Sequence, residues 1–427
     1  MPARFLLYFK RFVFYLTFSQ FYSYYHILYY VILYLSIFFF SGPVGVGEFP
    51  DYASVAKGSM TLVPNKTIIM TTPGVVLKVD AFGVTPVTNK PITRFTWTTI
   101  NRMEVQVISY GAIITSIQVP DKDGNVVDVA LGFDNIEGYQ KNQGAYIGAT
   151  VGRISNRTID GKFTLEGKNY TLTKNVDGHH LHGGFKGFDQ VNWDHHVEGT
   201  KVTLSYLSID GEEGAPGSVI TNLTCDVTPD NIFKVSIMST TTKPTPINLT
   251  NHSYFNLAGH DAGVAELNDH VVTINADKYT EATSRFVTTG NLIPVVDTLY
   301  DFRTPKQLKE LLLKINGGYG YDINYCINKG DDQGLTFVSR VVHPKSGRAM
   351  EVYSDQPGVQ WYTSNNLPDP ASPMLGKGGR PYAKHGAFCL ETQNWPNAIN
   401  YKNFPNSVLY PGKKYIHHFE YRYTIQN

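Results

Sequence analysis

Charge is scarce in this 427-residue chain: Asp, Glu, Lys and Arg make up 17% of it, and the formal net charge is +1. The clustered Lys and Arg that carry nucleic-acid binding are missing, so no nucleic-acid partner is expected. Cysteine is scarcer still. Cys225, Cys326 and Cys389 stand far apart with no CxxC, an odd set that suits a reducing compartment better than a disulfide framework or a zinc site. No GxGxxG follows a strand and opens a helix, and neither GxSxG nor HExxH occurs. The dinucleotide fold, the serine-hydrolase elbow and the zincin site are thereby set aside. "GKFTLEGKN" misses the phosphate-loop spacing by one residue and lacks its Ser/Thr.

Aromatics and turn formers are abundant. The 38 glycines, 23 prolines, 28 tyrosines and 24 phenylalanines favour strands and tight turns over helices. The first 40 residues stand apart, with no acid and with Arg4, Lys10 and Arg11 ahead of an apolar run from Phe12 to Phe40. That run exceeds the roughly 20 residues a membrane span needs. Ser19, Gln20, Ser23, His26 and the many tyrosines make it a poor one, because tyrosine belongs at the membrane interface. An anchor and a start codon assigned upstream of the true one both fit, and a membrane partner is expected only in the first case. Residues 41–76, rich in Gly, Pro, Val and Thr, read as a linker, and 77–427 as a single domain.

Within that domain, partly alternating stretches such as "RFTWTTINRMEVQVIS", "KVTLSYLSID" and "NIFKVSIMST" read as strands. Asp123-Gly124, Asp160-Gly161 and Asp210-Gly211 read as hairpin-type turns. One helix is legible in "TPKQLKELLLKING". Thr304 is a candidate cap, Pro305 sits in the first turn, Leu308, Leu311, Leu312 and Ile315 fall at helical spacing, and Gly317 ends it. Many short strands with few short helices predict an all-β fold, a large antiparallel sandwich or barrel.

Four segments pack polar residues among apolar strands and glycines: "GATVGRISNRTIDGKF", "DGHHLHGGFKGFD", "NLTNHSYFNL" and "FCLETQNWPNAIN", with "GYGYDINY" as a shorter fifth. Glu391 follows Phe388, Cys389 and Leu390, at the end of a buried strand. A carboxylate there must be paired, hydrogen-bonded or neutral, and burial raises its pKa toward that of a usable base. Alone, the segment fits a structural Glu better. His252, flanked by aromatics, fits a hydrogen-bonded core histidine. His179, His180 and His182 lack a second ligand cluster, so no metal is expected. Arg157 and Asp322 fit an ion pair.

Taken together and in order, "GATVGRISNRTIDGKFTLEGKNYTL", "HHLHGGFKGFDQVNWD", "INLTNHSYFNLAGH", "GYDINYC", "QPGVQWYTSN" and "CLETQNWPNAIN" resemble the aldose 1-epimerases (galactose mutarotases), with the animal type nearest. The resemblance covers roughly 77–427 and implies that family's large antiparallel β-sandwich. It implies an isomerase that interconverts α and β anomers of galactose or glucose, in carbohydrate metabolism. Carried over by motif, the general base falls on Glu391 and the general acid on His252, taken as protonated. Asn156, Arg157, His182, Ser253, Tyr254, Asp322 and Gln360 fall at the sugar. Trp361 replaces another aromatic common among relatives and is expected in the pocket wall. No cofactor and no metal are implied, and a monomer is expected. A hexose-6-phosphate 1-epimerase and a non-catalytic sugar-binding module on the same fold are the alternatives. Asn156, Asn248 and Asn251 are sequons inside the implied site, where a glycan would block it, so a cytoplasmic location is expected.

Overall fold

The structure, a computed structural model, describes residues 67–331 and 334–426. The aromatic run at 1–40 and most of the predicted linker lie outside the described residues. Among the described residues no helix is long and apolar enough to cross a membrane. Three antiparallel sheets of six, nine and five strands hold most of the strand residues. Their inner faces meet in one large core holding Trp97, Leu204, Phe233, Tyr325, Trp361 and Phe419, among others.

The six-stranded sheet is a meander from Ile68–Thr72 to Val126–Asp128, with chain neighbours as sheet neighbours. Its register follows from one apolar face. Met70, Leu77, Trp97, Val105 and Ile117 lie opposite one another in a single cross-strand row, and a one-residue slip would turn that row to solvent. Residues 68–76, read from sequence as the linker's end, form the first strand and the start of the second. Val75, Leu77 and Val79 are buried there while Val76 and Lys78 face out, an alternation too short to separate from a Val/Thr-rich linker.

The predicted helix is shorter than its sequence signals. The α-helix runs over Lys309–Lys314, with a kinked 3-10 turn at Ile315–Gly318 after it. Lys306 and Gln307 pair with Val272 and Val271 at the edge of the nine-stranded sheet. Leu308 N–H donates to His270 O at 3.0 Å. Sheet pairing claims backbone that a helix starting at Thr304 would need. Leu308, Leu312 and Ile315 still face the core, as their spacing predicts. Asp123-Gly124 closes a tight hairpin. Asp160-Gly161 instead links strands of two different small sheets, and Asp210-Gly211 opens a longer loop.

The five-stranded sheet positions the chemistry. Its strands Gly358–Tyr362 and Cys389–Gln393 are buried at every residue, so both faces are covered. Gln360 lies directly opposite Glu391, and Asn324 opposite Gln360. With side chains alternating, Asp322, Gln360, Tyr362, Cys389 and Glu391 share one face. Val359, Trp361 and Leu390 share the other, in the core. Trp361 is therefore not a pocket wall as expected. It packs against Phe302, Tyr321 and Phe388.

Candidate active site

A cavity of about 300 Å³ opens over the polar face of that sheet. Asp322, Gln360 and Glu391 form its floor, Asn156, Arg157 and His182 one side, and His252 and Tyr254 another. Eight of the nine predicted residues thus converge from segments scattered over the chain. Ser253 does not join them: its hydroxyl donates to Asn251 Oδ1 at 2.6 Å. Alternation explains this, since His252 and Tyr254 point one way and Ser253 the other.

Local backbone geometry sets each group. His252 follows the short strand Thr250–Asn251, paired with Thr150–Val151. Its N–H donates to Ala149 O at 2.8 Å, and its carbonyl accepts from Gly148 N–H at 3.0 Å. Gly148 has φ +73°, and a Cβ there would lie 2.1 Å from Ile114 O, so only glycine brings these segments together. Asn156 and His182 take left-handed φ values of 58° and 50° and flank the paired strands Arg157–Thr158 and His180–Leu181. Such strain gathers at functional sites.

A directed hydrogen-bond chain fixes the polar floor. Arg157 N–H donates to Asn156 Oδ1 at 2.8 Å, Asn156 Nδ2 to Gln360 Oε1 at 3.1 Å, and Gln360 Nε2 to Asp322 Oδ1 at 2.6 Å. The sequence-level pairing of Arg157 with Asp322 is thereby corrected: Asp322 spends its short contact on an amide. The Asn156 N–H also donates to His182 Nδ1 at 3.2 Å. An imidazole accepting at Nδ1 carries its proton on Nε2 when neutral, so His182 offers the cavity a donor. His182, His252 and Glu391 each place a ligand-type atom within 4.8 Å of the others. The donor tautomer of His182 suits a sugar hydroxyl and disfavours a cation.

His252 Nε2 stands 3.6 Å from Glu391 Oε1. That is near enough to share a ligand and too far for a hydrogen bond. Glu391 Oε2 is buried with no hydrogen-bond partner, an unmet acceptor that needs a proton or a ligand donor. Burial pushes the Glu391 carboxyl well up, Asp322 adds to this, and Arg157 opposes it. Burial lowers His252 to about 4, which favours the neutral imidazole near pH 7 and makes the imidazolium a stronger acid. Burial also raises Asp322, against Arg157 and Gln360. His182 falls well below the usual histidine range through burial, helped by His252 and Arg157.

Several lining residues carry no signal of their own in the sequence. Tyr146, Tyr362, Asn142, Asn366 and Met374 reach the cavity. Tyr146 stacks on His252 with centroids 6.0 Å apart, and Tyr254 does so at 4.9 Å. Cys389 Sγ lies 3.7 Å from His252 Nδ1. Of these, Tyr362 and Cys389, each two residues from Gln360 or Glu391 on one strand face, follow from alternation. A larger surface groove of about 950 Å³ runs past Asn394, Trp395 and Asn406. The amides of Asn394 and Asn406 and the Trp395 indole donate there to backbone carbonyls.

The family model for aldose 1-epimerase matches residues 93–422. The galactose mutarotase of Rattus norvegicus is 42% identical over 325 residues, covering 76% of this chain and 92% of that protein. The aldose 1-epimerase of Escherichia coli is 31% identical over 331 residues, covering 76% and 93%. The crystal structure of an aldose epimerase homologue from C. elegans superposes with a TM-score of 0.70 at 30% identity, covering 77% of this chain and 97% of that one. With the family model and relatives of this extent, and a β-rich antiparallel fold to match, this chain belongs to the aldose 1-epimerase family.

Proposed function

We propose that His252 and Glu391 are the acid–base pair with which this isomerase interconverts the α and β anomers of an aldose such as galactose or glucose. The observation that carries the reading is a pair of buried, oppositely shifted groups 3.6 Å apart at the floor of a sugar-sized cavity. In the productive encounter Glu391 is a carboxylate and His252 an imidazolium. Glu391 takes the C1 hydroxyl proton, and the O–H pair becomes the C=O bond. The C1–O5 bond breaks, its electrons go to O5, and His252 protonates that oxygen. The aldehyde rotates about C1–C2. Reclosure returns both protons with the roles reversed.

The pKa shifts favour this sequence. After ring opening Glu391 is protonated and His252 neutral, which is the pair that burial prefers. A raised carboxyl is a stronger base and a lowered imidazolium a stronger acid, so both proton transfers gain driving force. The site needs no redox step. Arg157 and the His182 Nε2–H face sugar oxygens as donors, and Asp322 faces a hydroxyl as acceptor. Among the described residues Arg157 is the one Lys or Arg lining the cavity, beside two acids, which favours a neutral sugar over a hexose phosphate. Asn156, Asn248 and Asn251 are buried, which supports a cytoplasmic location.

The test is polarimetry of freshly dissolved α-D-galactose. The parent accelerates the approach to equilibrium rotation, and Glu391→Gln and His252→Asn each lose about 10²–10⁴-fold. A folded Glu391→Gln protein working at the parent rate would sink the assignment.

A further inference from the structure

Among the described residues, the Arg157 guanidinium has no carboxylate at ion-pair distance. What faces it is a ring, with Arg157 Cζ 5.5 Å from the centroid of Phe286. Phe286 stacks in turn on Tyr319, with centroids 5.2 Å apart and planes 25° from parallel. Lys384 Nζ lies 5.4 Å from the Tyr319 centroid. The four side chains form a column of cation, ring, ring and cation.

The column is built. Phe286 has φ 58°, a conformation bulky residues rarely take and one worth attention near a site. A closed turn holds it there: Thr283 N–H donates to Val287 O at 2.8 Å and Phe286 N–H to Thr283 O at 2.9 Å. Tyr319 is fixed from behind, its hydroxyl donating to the Oδ1 of cavity residue Asn366 at 2.7 Å. Phe286 itself does not line the cavity, so its reach into the site runs through Arg157.

We infer that Phe286, backed by Tyr319, is a positioning residue that holds the Arg157 guanidinium at the sugar. The inference rests on Arg157 as a sugar-holding residue. A carboxylate would hold the guanidinium by consuming its N–H donors. A ring face attracts the charge through its quadrupole and leaves the five donors for sugar hydroxyls. It also adds no negative charge to a cavity that already holds Glu391 and Asp322. A third acid there would repel the Glu391 carboxylate further.

The experiment uses the full chain and steady-state kinetics on α-D-galactose, with Phe286→Leu, Phe286→Tyr, Arg157→Met and the Phe286→Leu/Arg157→Met double variant. Leucine keeps the apolar bulk and removes the ring. The expected result is a KM raised roughly two- to tenfold in Phe286→Leu, with kcat near the parent value. Phe286→Tyr restores the parent KM, and the double variant has the KM of Arg157→Met alone. A parent-like KM in Phe286→Leu beside a raised KM in Arg157→Met overturns the positioning role and leaves Arg157 in place. The same proportional rise on the Arg157→Met background overturns it too, because Phe286 would then act independently. An unchanged KM in Arg157→Met overturns the reading of Arg157 itself.

Discussion

At His252 and Glu391, burial acts on opposite sides of one proton. The imidazole is held down to about 4 and the carboxyl is held up, so between those limits the pair carries a single proton wherever it sits. As pH falls through about 4, His252 also protonates and the pair has no acceptor left. As pH rises through the elevated Glu391 value, the last proton leaves and the pair has no donor. The expected kcat/KM profile is a bell whose limbs belong to the pair. Its acid limb should lie well below the ordinary histidine range near 6.5. Stopped-flow or polarimetric rates across pH 3–10 (roughly the range over which such groups titrate) check this. An acid limb near 6.5 that vanishes in His252→Asn would show that the imidazole is not desolvated as the geometry implies.

Between residue and fold, the loop bearing His182 is held by an element far from it in sequence. Glu213, in the turn after strand Lys201–Ser208, accepts the N–H groups of Phe185 and Lys186 at 3.0 Å each, and also the Thr173 hydroxyl. Asn175 grips the other side through Leu181 and Gly184. Glu213→Ala leaves those donors without their acceptor, at about 1–3 kcal/mol of stability. Small displacements of a positioned group can cost up to about 10²-fold in rate. A lowered melting temperature with a fall in kcat/KM is expected, and Glu213→Gln should recover part of both. An unchanged kcat/KM in a destabilised Glu213→Ala would make the clamp structural only. This contact also marks where sequence reading stops. The ordered motifs of the family resemblance pointed to His252, Glu391, Gln360 and Asp322, and alternation puts Gln360, Asp322 and Glu391 on one sheet face. Glu213, Tyr146 and Phe286 reach the site through loop closure, which no local pattern encodes. The shortened helix at Lys309–Lys314 failed for a related reason: a cross-chain pairing at Lys306–Gln307 outcompeted good local capping signals.

Over the whole molecule, three sequons fall where no glycan fits. Asn156, Asn248 and Asn251 are each at most 5% exposed, and their amides are spent: Asn248 on Asn394 O, Asn251 on Gly148 O and Asn156 on Gln360. Forced secretion from a eukaryotic host should therefore give inactive or unfolded chain, with activity recovered when N-glycosylation is blocked. Secreted chain glycosylated at these three asparagines and fully active would refute the cytoplasmic assignment. The strands Gly358–Tyr362 and Cys389–Gln393 carry a different consequence. Because core and cavity take alternate side chains of the same two strands, durability and substrate choice are interleaved letter by letter. A library aimed at new sugars can vary positions 360 and 362 while sparing 359, 361 and 390. A one-residue shift of Gly358–Tyr362 would exchange the two alphabets, turning the Trp361 indole to the cavity and the Gln360 amide to the core, and one of Cys389–Gln393 would turn the Glu391 carboxylate to the core. Evolution of this pocket therefore proceeds by substitution, with length changes confined to the turns.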